Sequence, residues 1–205
     1  MELKQFGANE VFICNTSNID SMRHGRPQTV MIEQDMNLKN GAIVTLLETK
    51  ETSADSKPGN ILDHVHGISV VEQTEVVGKF IIIDPEINVE QYRRMDNSLA
   101  AFGDKTLEQN ATHTAYELQK RDRIEYSQAH FDAATKTQLE TAPQGLVATK
   151  FKVAVDAEGN IQLTQDADGA LLAVSVREQR IPLMYDDKRA KLPESYYMIK
   201  LEVLK

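Results

Sequence analysis

Asp63-His64-Val65-His66 carries the densest run of metal-ligand chemistry in the chain. On a β-strand His64 and His66 lie on one face, because side chains alternate with period two. Two imidazoles on one face can grip a transition metal. Asp166-Ala167-Asp168-Gly169 resembles the start of a calcium loop. A full loop needs a Glu at its twelfth position, and Arg177 stands there, so the segment reads as an Asp-Gly turn between strands. Cys14 lies beside Phe12 and Ile13 and reads as a small core hydrophobe. Ser17, Ser53, Ser127 and Ser175 lack a G-x-S-x-G context, and neither G-x-G-x-x-G nor G-x-x-x-x-G-K-[ST] occurs. No catalytic residue and no cofactor-binding residue is expected, and Asp186-Asp187 reads as solvated loop charge.

The string Gly59, His64-x-His66, Glu72, Gly78 looks like a loose version of the first cupin metal motif. The step from Gly59 to His64 is one residue short, and the step from His66 to Glu72 is too long. A one-residue shift also moves Glu72 to another strand face. No second motif with Pro, Gly and His follows, and His113 and His130 sit in unrelated contexts. The reading is therefore no metal and no cofactor, with His64 and His66 the residues that come nearest to a ligand pair.

The elements that position these residues are short strands. Val11–Cys14 and Thr29–Met36 each read as a strand. Asn40-Gly41 then marks a tight turn before the strand Ala42–Leu47, since Asn-Gly tolerates positive φ. Residues 48–60 are polar and breaker-rich and read as a surface loop. His64–Val71 and Glu75–Ile83 read as strands, the second ending at Asp84-Pro85 because proline donates nothing to a ladder. TAYEL and RIEYS alternate around Lys120-Arg121-Asp122 and predict a strand pair, although the helix formers in EQNATHTAYELQKR keep a helix in play. Residues 128–142 suit a short helix. FKVAVDAEGNIQLT predicts a hairpin, ALLAVSVREQ another strand and YYMIKLEVL a closing strand, with a loop over 180–195.

This rhythm predicts a mainly β fold: small β-sandwich or barrel-like lobes of short antiparallel strands, one or two short helices, and an extended N-terminal arm. The expected organisation is an arm over 1–30, a β-rich core lobe over 31–127, a linker with a short helix over 128–142, and a second β-rich lobe over 143–205 packed on the first. The arm is rich in Asn, Ser, Gly and Arg between Asn15 and Pro27. It reads either as a mobile terminus or as a segment that orders against a partner.

At 205 residues the chain can bury a sizeable core without disulfides or metal. Its single cysteine permits no internal disulfide, which is compatible with a reducing cytoplasm. MELKQFGANEVFICN has no basic start followed by a long apolar run, so no signal peptide is expected. No apolar run approaches the ~18 residues of a membrane span. The net charge of −8 repels phosphate and gives no footing for nonspecific nucleic-acid binding. Two local basic clusters, Arg23-His24-Arg26 and Lys120-Arg121-Arg123, read as solvated turns.

The order of elements carries the remaining signal. Asn40-Gly41-Ala42-Ile43-Val44 comes first, then Ile83-Asp84-Pro85-Glu86 with Tyr92. Ala115-Tyr116-Glu117-Leu118, Asp122 and Ile124-Glu125-Tyr126-Ser127 follow, with the late hairpin and Tyr197–Leu204 at the end. This order resembles the small capsid decoration proteins (head auxiliary or cement proteins) of tailed bacteriophages, over about residues 30–205. The usual Gly-Asp turn of that pattern is Arg121-Asp122 here. The segments 48–60, 128–142 and 180–195 are longer than usual, and the first 30 residues have no counterpart.

The resemblance implies a non-enzymatic virion protein made in the host bacterial cytoplasm and located on the outer capsid surface. Its implied partner is the major capsid protein of the same phage. A homo-oligomer is implied as well, with a trimer the state that suits threefold sites, and no nucleic acid or membrane. Capsid contacts are expected in the arm, with Arg23 and Arg26 the first residues to test. The alternatives are a phage tail or baseplate adaptor, and a cupin-like metal-binding β-protein using His64 and His66.

Overall fold

Alternating apolar residues build two β structures that share one seam. The computed structural model describes residues 4–5, 7–10, 12–20, 22, 27–33, 36–49, 65–83, 107, 109, 111–156, 160–180, 190–191 and 195–205. The strands are β1 (Lys4–Gln5), β2 (Cys14–Asn18), β3 (Gln28–Met31), β4 (Ile43–Thr49), β5 (Val65–Ser69), β6 (Phe80–Ile82), β7 (Thr112–Glu117), β8 (Arg123–Ser127), β9 (Lys150–Val155), β10 (Ile161–Gln165), β11 (Leu171–Arg180), β12 (Ala190–Lys191) and β13 (Ser195–Val203). Helix α1 spans Ala133–Thr141.

Five strands close into a barrel in the order β3-β5-β4-β6-β7, and six form a sheet in the order β10-β9-β11-β13-β8-β2. β1 pairs in parallel with β12. The protein is mainly β, as its alternation predicts. The expectation of antiparallel strands fails at one place in the barrel: β3 runs parallel to β5, with Thr29 opposite Val65. Geometry forces this, since a closed ring of five strands cannot alternate direction all the way round.

Period-two alternation feeds two cores from the same strands. Val44 and Ile82 point into the barrel with Val30, Ile32, Leu38, Ile68, Leu107 and Ala115. Their neighbours Ile43 and Ile81 point the other way, into a core with Ile124, Phe131, Phe151, Leu171, Ile199 and Leu201. The runs Ile43-Val44 and Ile81-Ile82 are thus buried on both faces, which explains why they read as continuous apolar stretches. Phe131 and Phe151 meet edge to face, with centroids 5.1 Å apart. Each fully buried Ile, Leu or Phe contributes about 1.5–3 kcal/mol.

The consecutive strands β7 and β8 link the two structures. The first closes the barrel and the second enters the sheet, where Ile199 faces Tyr126. TAYEL and RIEYS are therefore strands and not a helix, but the expected pair does not form: the turn sends β7 to β3 and β6, and β8 to β13 and β2. The sheet draws β2 from 1–30, β8 from 31–127 and β9, β10, β11 and β13 from 143–205. Residues 128–142 hold α1, whose N-cap Asp132 accepts from Thr135 N at 2.9 Å.

Other boundaries move for local reasons. The expected strand over Glu75–Ile83 shrinks to Phe80–Ile82, because Gly78 takes φ +76° and turns the chain just before it. Of the N-terminal segment, residues 12–20 belong to the fold: β2 pairs with β8 and Ile19 is fully buried. The Asp84-Pro85 break and Tyr92 lie outside the described residues.

Candidate functional site

The ligand-like residues do not converge. His64, Arg23 and Arg26 lie outside the described residues. His66 sits on β5, and its Nδ1 lies 3.0 Å from the carbonyl oxygen of Leu47. Val30 is opposite His66 on one side and His113 on the other, so the register puts both histidines in one row across three strands. Glu72, the residue a cupin reading needs, lies beyond the end of β5 and pairs with Lys152 of the large sheet. Among the described residues no group of three or more His, Cys, Asp or Glu is placed to hold a metal.

Asp166-Asp168-Gly169 forms the turn expected of it. Asp166 Oδ1 accepts from Asp168 N at 2.8 Å, and Lys152 Nζ lies 3.4 Å from Asp166 Oδ2. The Asp168 N–H, aided by Lys152, holds the Asp166 carboxyl below its ordinary value. Gly169 is needed for close approach: a Cβ there would lie 2.4 Å from the Phe151 backbone.

The polar chemistry of the molecule is concentrated instead where the barrel meets the sheet. The Asn40-Gly41 turn, with Gly41 at φ +88°, inserts against β8. Tyr126 Oη donates to Gly41 O at 2.8 Å, and His130 Nε2 donates to Asn40 O at 2.8 Å. Ser127 Oγ lies 3.2 Å from His130 Nδ1 and accepts from Ile13 N at 2.9 Å. Phe12 packs edge-on against His130 with centroids 5.2 Å apart, and Tyr126 tilts against it at 4.8 Å. Cys14 and Tyr126 crowd Gly41, where a Cβ would lie 2.7 Å from Cys14 Sγ.

Burial dominates the ionisation of this cluster. It pushes the Tyr126 phenol well above its ordinary value, with the neighbouring Cys14 adding to the effect. It pushes the His130 imidazole from 6.5 down to about 4, against the opposing pull of the Asn40 and Ser127 backbone groups. Both side chains are therefore neutral near pH 7. The adjoining cavity, lined by Lys39, Gly41, Ala42, Tyr126, His130 and Gln162, holds about 10 Å³, enough for about one water molecule. A small-molecule site takes ~300 Å³ or more, so this cluster is a joint and not a substrate pocket.

Sequence reasoning marked Asn40-Gly41 as a turn and Cys14 as core, but did not bring them to Tyr126 and His130. One signal was present: a histidine inside the apolar stretch around Phe131 needs buried hydrogen-bond partners.

On the opposite face of β8, Glu125 accepts from Asn15 Nδ2 at 3.3 Å and pairs with Arg177 at 2.9 Å and Lys200 at 3.0 Å. This ladder ties β2, β8, β13 and β11 together on a half-exposed surface. Compared with known proteins, the chain matches no family model, no curated protein and no solved structure.

Proposed function

We propose that this chain is a non-enzymatic structural protein of a tailed bacteriophage. It binds the outer surface of the assembled capsid and stabilises it across seams between major capsid subunits. The observation that supports the reading is the order of elements around the Asp122 turn, from β7 into β8. Ala115-Tyr116-Glu117-Leu118, the Asp122 turn and Ile124-Glu125-Tyr126-Ser127 follow one another in the order of the decoration-protein pattern, although β7 and β8 pair with other strands and not with each other. Asp122 earns its place there, since its carboxylate accepts from Gln119 N at 2.8 Å and from Asp20 N at 2.9 Å. The net charge of −8 suits an outer location away from packaged DNA.

The physical role is mass action. A protein that binds only the expanded lattice stabilises it against both its precursor and dissociation. A copy that bridges several subunits gains further through effective concentration.

Co-sedimentation tests the proposal. Purified protein mixed with expanded shells is expected to pellet with them saturably and to raise their dissociation temperature. Pelleting with tails alone would favour an adaptor, and pelleting with neither would end the reading. Stoichiometric Fe, Mn or Zn lost on His64→Ala would replace it with the metal-protein alternative. Because β2 lies within residues 1–30, deleting that segment would remove an edge strand. The contact role of the segment is better tested by Arg23→Ala with Arg26→Ala, and unchanged shell occupancy would remove those two residues from the contact. Light scattering reads the oligomeric state, for which a trimer is expected.

A further inference from the structure

His130 connects chain segments that lie about 90 to 120 residues apart, and it does so through one fixed arrangement of protons. Asn40 O can only accept, so Nε2 carries the hydrogen at 2.8 Å and Nδ1 is the bare nitrogen. Ser127 Oγ already accepts from Ile13 N at 2.9 Å and turns its own hydrogen toward Nδ1 at 3.2 Å. The chain Ile13 N–H, Ser127 O–H, His130, Asn40 C=O thus runs from the N-terminal segment, through the sheet, to the barrel. Ser127 N donates to Ile13 O at 2.9 Å and fastens the same segment a second time.

A proton added to Nδ1 disturbs each link. Nδ1 becomes a donor and faces the Ser127 hydroxyl hydrogen, which must turn away from it. The nearby Ser127 carbonyl, at 3.3 Å, offers one alternative acceptor but no compensating charge. The ring then carries a full charge between Phe12 and Tyr126.

Among the described residues the only charged side chain found to act on the ring is Lys136. From the Ala8–Glu10 turn packed beside Gln128–His130, the Glu10 carboxylate accepts from Gly7 N at 2.7 Å. From α1, Lys136 repels it, while Asp132 at the start of that helix is occupied with Thr135 N and interacts with Lys136. From the barrel turn, Lys39 Nζ lies 5.3 Å from the Phe12 centroid and adds a second cation. On β8 the Tyr126 phenol donates to Gly41 O, and on β2 the Cys14 thiol is its hydrogen-bond neighbour. Gln162 of β10, beside the ring in the cavity wall, is uncharged.

We propose that His130 is an acid-operated latch, whose protonation frees the Phe12–Ile13 segment and the Asn40–Gly41 turn from the large sheet while β9 and β11 stay folded. The latch does not depend on the capsid reading. The sign follows from burial. The ring is held neutral in the folded protein, with a value of about 4 against 6.5 when exposed. The stability it confers is complete above about pH 6.5 and is lost as the pH falls from there toward about 4.

Hydrogen exchange followed by mass spectrometry between pH 7 and pH 4, corrected for intrinsic exchange, tests this. In residues 12–18 and 38–44 the opening equilibrium is expected to rise by about a hundredfold, the factor that the two ionisation values give at pH 4. β9 and β11 are expected to change little. His130→Gln, whose amide can both donate and accept but does not titrate, is expected to remove the pH dependence of the two reporter segments. Ser127→Ala, which removes the hydrogen bonds to Nδ1 and from Ile13 N, is expected to raise opening at pH 7 and to shrink the further rise on going to pH 4. The proposal is overturned if all strands open together, if neither reporter opens, or if His130→Gln keeps the wild-type acid transition. Should His130→Gln fail to fold, an undiminished rise between pH 7 and pH 4 in Ser127→Ala overturns it equally.

Discussion

Two turns flank the seam between barrel and sheet, and both hold a residue in the left-handed region. Gly41 has φ +88° and Arg121 has φ +78°. The first is buried between Cys14 and Tyr126, while the second lies on an exposed turn next to the buried Asp122. Left-handed backbone costs a residue with a Cβ roughly 1–2 kcal/mol wherever it occurs. What differs is the space for the Cβ. At the buried turn only glycine fits, whereas at the exposed turn arginine fits and the conformational cost is simply carried.

The largest expected effect tests the crowding half of that contrast. In Gly41→Ala the new methyl would lie 2.7 Å from both the Cβ and the Sγ of Cys14 and 2.8 Å from the Tyr126 ring. Overpacking of ~1–3 kcal/mol adds to the left-handed penalty, for a loss of about 3 kcal/mol or more in urea unfolding. A loss below about 1 kcal/mol would mean that the turn does not dock as described. Asp122→Ala should follow, at about 2–3 kcal/mol. It strands the N–H groups of Asp20 and Gln119, which now donate to the buried carboxylate at 2.9 Å and 2.8 Å. If Asp122→Ala proved neutral, the exposed turn would be held by its backbone alone.

Tyr126→Phe is smaller still. It keeps the ring and removes the bond to Gly41 O, so about 1–2 kcal/mol should be lost. A useful control lies one residue away, on the other face of the strand. Removing the Glu125 carboxylate breaks pairs with Arg177 and Lys200, whose side chains are 54% and 30% exposed. Solvent screening limits that loss to under about 1 kcal/mol, and high salt should shrink it further. The Tyr126→Phe loss should be insensitive to salt, and a shared salt dependence would break the distinction between the two faces of β8.

These regions also mark what was legible in the sequence. Alternation located β7, β8, β9, β10, β11 and β13, because each has a face in a core, and the Asn40-Gly41 turn with the apolar run after it located β4, which is buried on both faces. The hairpin around Asp156 and Asn160 was legible from its turn residues, and Asn160 N does donate to Asp156 Oδ1 at 2.7 Å. Barrel closure was not legible. It depends on β3 meeting both β5 and β7, a pairing over long sequence separations that no local pattern encodes. The joint was hidden for the same reason, since Asn40 and His130 are 90 residues apart. His66 and His113 share a row only because Val30 lies between their strands. Of the two histidines that stood out by spacing, His66 bonds only to its own barrel through Leu47, while the one that joins barrel to sheet, His130, stood alone in the sequence.

The smallest expected effect has the opposite sign. Replacing Arg121 by glycine removes the left-handed penalty of a residue with a Cβ. The gain is offset by the extra freedom glycine gives the unfolded chain, worth about 0.4–1 kcal/mol. The backbone contacts of the turn are untouched, because Arg121 N still donates to Val203 O and Val203 N to Asp122 O. Arg121→Gly should therefore raise stability by about 0.5 kcal/mol, read as a higher urea midpoint at unchanged slope. Loss of stability would mean that the exposed arginine makes a contact worth more than its strain. The two turns would then differ in their bonding rather than in the room they leave for a side chain.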